Sequence, residues 1–292
     1  MLIANPIYDI VFKRLMENER VAKFFISTMI NQTVESVEVM PQEFTYTDEL
    51  VGLRLFRLDC VAVIKTENGE NKKVLIEIQK AKNRVDIMRF RNYLAEQYKK
   101  QDKVNGVKKT LPIKTIYLLG FDLPEVTTAC VHVERQYKDL INDGTILNVK
   151  SGFIESLTHD SYVVQINRIT NRYKTRLDKL LSIFEQAYFI DEKEVIKEFP
   201  HQVDEETLKI ATDILHYSGA DSETRKQLEI EQEAWRTIDA FFEDERIDLQ
   251  QKLEAKEKAL AKQQKELVEQ QKALETQAKL IQELQKKLNE NK

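Results

Sequence analysis

Asp59 sits in a stretch with strand character, LRLFRLDCVAVIK, and is followed across a turn by Glu77-Ile78-Gln79 in a second such stretch, KKVLIEIQK. Strand positions two apart share a face, so Glu77 and Gln79 are expected on one side of the sheet, where the neighbouring strand could present Asp59. Two carboxylates meeting there are hard oxygen donors suited to a divalent cation, Mg2+ or else Mn2+ or Ca2+. Such an ion activates water and offsets the charge that builds on a phosphodiester under attack. The turn decides whether the acids meet. A two-residue loop at Asn68-Gly69 pairs Asp59 with Ile78, on the wrong face. A three-residue loop or a glycine bulge at Gly69 supplies the one residue of offset that pairs Asp59 with Glu77 or Gln79.

The second element beside these residues is basic. From Lys80 to Lys114 there are eleven Lys or Arg against three acids, a local +8 that leaves −12 for the rest of a chain whose net charge is −4. That stretch is where phosphate contact is expected. Within it, residues 84–98 read as a helix, with Ile87, Phe90 or Arg91, Leu94 and Tyr98 at three- and four-residue steps. One face is expected to pack on the sheet and the other to carry charge. The bland alternative is a solvated basic face with no ligand.

The order acidic residue, hairpin, Glu-x-Gln strand, basic helix resembles the PD-(D/E)xK nuclease superfamily. The opening Asn5-Pro6-Ile7-Tyr8-Asp9-Ile10-Val11-Phe12-Lys13-Arg14, Glu77-Ile78-Gln79 and the run RFRNYLAEQY at 89–98 together resemble its recombination-promoting nuclease branch, whose members are often labelled transposases. The likeness covers roughly residues 5 to 245. It implies a restriction-endonuclease-like mixed sheet flanked by helices. It also implies a metal-dependent DNA endonuclease, with Asp59 and Glu77 as Mg2+ ligands and Gln79 as a positioning group. Asp9 is a further acid under the same motif, although an ion pair with Lys13 serves as well. Phosphate contacts fall to Lys82, Arg84, Arg89 and Arg91. Most of the superfamily carries Lys where this chain has Gln79; a lysine ammonium can polarise water, whereas an amide only hydrogen-bonds. The branch it resembles has Gln there too. Lys80 is adjacent but faces the other side of a regular strand.

Composition bounds the alternatives. With 42% hydrophobic and 32% charged residues, the chain reads as a globular protein with a polar helical appendage. No window approaches the ~20 apolar residues of a membrane span. The start MLIANPIYDIVFKR lacks a signal-peptide layout, and a cytoplasmic address is expected. Cys60 and Cys130 suggest neither a disulfide framework nor a zinc site. His132, His159, His201 and His216 lie at no ligand spacing, and no Gly-rich phosphate loop precedes a lysine and a hydroxyl residue.

Six of seven glycines and four of five prolines precede residue 153, so the first half is expected to mix sheet and helix and the second to be helical. The divisions read as a nuclease-like core at 1–166, a helical region at 167–246 and a long C-terminal helix at 247–292. Asn5-Pro6 is expected to start the first helix, with Asn5 as its cap. Strands are expected near 34–39, 53–65, 72–80 and 113–120, and also near 127–133, 146–149 and 161–167. The strand–helix–strand order around 84–98 favours a parallel crossover.

In the tail, Leu253, Leu260, Leu267, Leu274, Ile281 and Leu288 recur every seven residues, but the second seam position is mostly Lys or Gln. A weak or partner-dependent coiled coil is expected there, a route to a homo-oligomer, with a single solvated helix as the alternative. Two function classes follow: the DNA endonuclease, or an inactive nuclease-like module that binds nucleic acid or protein and oligomerises through its tail.

Overall fold

Asn5 does not cap a helix. In the computed structural model its amide is fully buried and donates to the Gln186 side chain at 2.9 Å and to the Glu194 carbonyl at 3.0 Å. The first helix therefore begins later, at Asp9, with Tyr8 as its cap residue. The asparagine instead pins the amino-terminal strand to a loop nearly two hundred residues away. The structure describes the backbone of residues 1–47, 54–67, 69–79, 84–104 and 106–290. Side chains at 40–47, 54–59, 79, 84–89, 92, 93, 104 and at a number of positions beyond 237 lie outside the description.

The elements run β1 (Leu2–Ala4), α1 (Asp9–Glu17), α2 (Glu19–Ile30), β2 (Val34–Thr47), β3 (Arg54–Thr66), β4 (Asn71–Gln79) and α3 (Arg84–Lys99). Then come β5 (Asp102–Val104), β6 (Val107–Lys109), β7 (Ile113–Leu119), β8 (Cys130–Val133), β9 (Tyr137–Asp139), β10 (Thr145–Leu147), α4 (Gly152–Leu157) and β11 (His159–Gln165). After a 3-10 turn at Ile166–Arg168, α5 (Arg176–Ser182), β12 (Ile196–Glu198), α6 (Glu206–Ala220) and α7 (Ser222–Glu290) complete the chain.

Six strands form one mixed sheet in the order β2-β3-β4-β7-β11-β8. The pairs β2/β3, β3/β4 and β11/β8 are antiparallel, while β4/β7 and β7/β11 are parallel. The expected crossover is present, with α3 joining β4 to its parallel neighbour β7. Strand alternation divides the apolar side chains between two layers. Val74, Ile76, Ile116, Leu118 and Val164 join α1 and α2 in the larger core, where the rings of Phe12, Phe25 and Phe184 meet at 5.7 to 6.3 Å. Val61, Leu75 and Ile113 face the other way and pack with Phe90 of α3, flanked by Leu94, Tyr98 and Tyr117. Phe90 is thus the helix's buried anchor and Arg91 is exposed, which decides between the two residues that shared that step of the periodicity.

The chain separates into two compact units, Met1–Glu233 and Ala234–Lys292. Residues 167–233 belong to the first, where Leu180, Phe184, Leu208 and Leu215 enter the same core as the sheet. The stretch expected to be helical also holds a strand, β12, paired with β1. The second unit is the continuation of α7. Among the described residues, no helix is long and apolar enough to cross a membrane.

Candidate functional site at the end of the β3–β4 hairpin

The hairpin loop has three residues, 67–69. The Thr66 amide donates to the Glu70 carbonyl at 2.9 Å and the Gly69 amide to the Thr66 carbonyl at 2.8 Å. Gly69 closes the turn at φ +75°, a left-handed conformation in which glycine escapes the clash a side chain meets. The resulting register runs from Lys65 opposite Asn71 to Cys60 opposite Ile76. The ladder ends there, one residue short of Asp59 and Glu77, and its phase is the one that a two-residue loop would have denied. Opposed positions of an antiparallel pair share a face.

Glu77 lies on the α3 side of the sheet and is 3% exposed. Its neighbours explain the burial: Leu75, two residues back, packs against Phe90, while Ile76 and Ile78 turn to the opposite core. The parallel register pairs Glu77 with Tyr117 and Gln79 with Leu119, at the carboxyl ends of β4 and β7. Burial pushes the Tyr117 phenol pKa up; a hydrogen bond with Thr115 works against that rise, and the nearby Glu77 charge adds to it. Ligands of open α/β sheets sit characteristically beyond the carboxyl ends of parallel strands, which is where Glu77 and Gln79 lie. The same face carries further polar pairs, Tyr98 with His159 at 2.9 Å, Thr115 with Ser161 at 2.9 Å, and buried Lys73 with Asp102 at 2.8 Å.

Of the other expected site residues, Asp59 and Gln79 are described in their backbone alone, as are Arg84 and Arg89 in α3. Arg91 is exposed on that helix, and Lys80 and Lys82 lie outside the described residues. Asp9 opens α1, which packs in the core on the other side of the sheet from Glu77. Its backbone amide donates to a Glu231 carboxylate oxygen at 3.1 Å.

The basic stretch divides by structure. Lys114 is buried and bonds Asp160 at 3.2 Å, so it is spent within the fold. Lys99, Lys100, Lys103, Lys108 and Lys109 are exposed, and Lys103 stands directly opposite Lys108 in the β5–β6 hairpin. Like charges set opposite one another repel, and a polyanion relieves that cost. Sequence reading missed this hairpin because its strands have three residues each; Gly106, at φ +78°, was its signal.

A cleft of about 1100 Å³ lies elsewhere, at the opposite end of β4. Its floor holds Lys114 and Asp160, and Asp160 also accepts from Arg135 at 3.3 Å. Burial alone would raise the Asp160 pKa, but the two cations hold it below the usual carboxylate value. Nothing connects this cleft with the expected chemistry.

No protein-family model, curated protein or solved structure matches the chain.

Proposed function

We propose that the protein is a metal-dependent DNA endonuclease, related to the PD-(D/E)xK superfamily it resembles and to its recombination-promoting branch. One observation supports the reading above the rest. The three-residue loop at Gly69 sets a register, running to Cys60 opposite Ile76, whose phase suits a pairing of Asp59 with the buried Glu77. Two carboxylates and the amide of Gln79 make an all-oxygen donor set that fits Mg2+, or Mn2+ or Ca2+, in preference to a soft metal. Bound there, the ion would lower the pKa of a water and offset charge on the scissile phosphodiester. Gln79 orients the attacking water by hydrogen bonding. Asp9, whose helix packs on the opposite side of the sheet from Glu77, is left out of this donor set. Lys82, Arg84, Arg89 and Arg91, with the exposed lysines of the β5–β6 hairpin, hold the phosphate backbone without reading sequence. Hydrolysis adds water across one P–O bond and leaves a phosphate monoester and a free hydroxyl.

The second reading, an inactive nuclease-like module that oligomerises through a coiled coil, draws on the tail. Leu253, Leu260, Leu267 and Leu274 are each more than half exposed along α7.

Conversion of supercoiled plasmid in Mg2+ separates the two. The wild type is expected to nick or linearise it, and Glu77→Gln to lower the rate at least about 100-fold while DNA binding persists. Binding without cleavage by either protein would favour the module.

A further inference from the structure

Between β8 and β11 the chain displays an apolar surface that no function described so far uses. Within residues 133–157, nine large apolar side chains face water: Val133, four on the β9–β10 hairpin (Leu140, Ile141, Ile146 and Leu147), Val149, and three on α4 (Phe153, Ile154 and Leu157). Seven of the nine are more than half exposed, with Ile141 at 92% and Leu140 at 88%. Neither core cluster takes a residue from 131 to 161, and α4 has no buried residue.

The segment is nevertheless firmly built, and its underside is polar. The Arg135 guanidinium donates to the Glu155 carboxylate at 2.9 Å, to the Thr158 hydroxyl at 2.6 Å and to Asp160 at 3.3 Å. The Tyr137 hydroxyl donates to Glu155 at 2.6 Å and accepts from the Ser151 amide at 3.2 Å. A polar cluster thus fixes a hairpin and a helix that point their apolar residues outward. Exposed apolar side chains gathered on one segment and underlain by polar groups mark an interaction surface.

We propose that this surface is a homodimer contact, formed by the β9–β10 hairpin and α4 of two copies about a twofold axis. Charge favours a second copy over a polyanion. The segment holds three cations and four anions, a near balance that neither repels its own image nor attracts phosphate. The strand order adds direction. β9 and β10 form a sheet of two strands only, so among the described residues the outer edge of β10 has no neighbour. An edge of this kind, lined by Ile146 and Leu147, is completed by the same edge of a second copy. Antiparallel β10–β10 pairing centred on Ile146 sets the two Ile146 positions opposite each other, within the Cα separation a disulfide spans.

The test uses the full chain carrying Leu260→Glu and Leu267→Glu, so that association through the tail does not intervene. Sedimentation velocity is expected to show a reversible dimer, weakened at least tenfold when Ile141→Asp is added. In the same background, Ile146→Cys is expected to give a disulfide-linked dimer on mild oxidation, whereas Tyr217→Cys, more exposed but outside the patch, is not. A chain that stays monomeric at tens of micromolar overturns the proposal. So does a dimer indifferent to Ile141→Asp, or crosslinking no better at 146 than at 217.

Discussion

Glu77 is a buried carboxylate at the end of an apolar strand. In the proposed site Asp59 stands beside it, and two carboxylates without a cation repel. A divalent cation turns that repulsion into attraction. The metal-site reading predicts that Mn2+ raises the melting temperature of the wild type and leaves that of Glu77→Gln unchanged. Thermal unfolding in Mn2+ and in EDTA checks it, and a wild type that does not respond to Mn2+ would contradict it. Lys197 poses a separate titration. It is 2% exposed, its ammonium donates to the Glu185 carbonyl, and burial pulls its pKa down to about 7. The unfolded lysine titrates near 10.4, so between about pH 7 and 10.4 the unfolded chain binds a proton that the folded chain does not. Stability is expected to rise with pH across that window. Urea unfolding at pH 7 and pH 9 should show the rise in the wild type and its disappearance in Lys197→Met.

At the scale of elements, the hairpin register is the feature on which the site depends. Gly69 sits at φ +75° with open space around it, so Gly69→Ala meets no clash and is strained by backbone conformation alone. A loss of more than about 1 kcal/mol in chemical denaturation is expected, together with weaker metal binding as the register loosens. The lysines of the β5–β6 hairpin carry their own test. Lys103→Ala with Lys108→Ala should reduce the slope of log affinity against log salt by about 2, equally for unrelated DNA sequences. Much of this layer was legible in the sequence. Apolar stretches near 53–65, 72–80, 113–120 and 161–167 announced β3, β4, β7 and β11, and the interval around residues 84–98 announced the parallel crossover. The loop length was open, because Asn68-Gly69 suits two turn types that differ by one residue. Asn5-Pro6 misled, because a local capping signal yielded to the tertiary bonds that Asn5 makes with Gln186 and Glu194. The pairing of β1 with β12 joins segments nearly two hundred residues apart, and no local pattern encodes it. Lys114 was counted in the basic stretch expected to meet phosphate, because charge in sequence does not reveal its burial against Asp160.

Across the whole molecule, a mixed sheet carries the candidate site on its α3 face, and among the described residues exposed apolar side chains gather on the β9–β10 hairpin with α4 and along α7. Paired nuclease centres cut both strands of a duplex more readily than one does. Wild-type protein is thus expected to linearise plasmid in single encounters, and the Ile141→Asp chain to accumulate nicked circles first. These consequences all stand on a cation held between Asp59 and Glu77. Calorimetric titration of the full chain with Mn2+, in the absence of DNA, measures that directly. Saturable binding in the wild type, lost in both Asp59→Asn and Glu77→Gln while each variant keeps its circular dichroism spectrum, is the predicted result. Binding that survives both substitutions, or no binding by the wild type, would contradict the account.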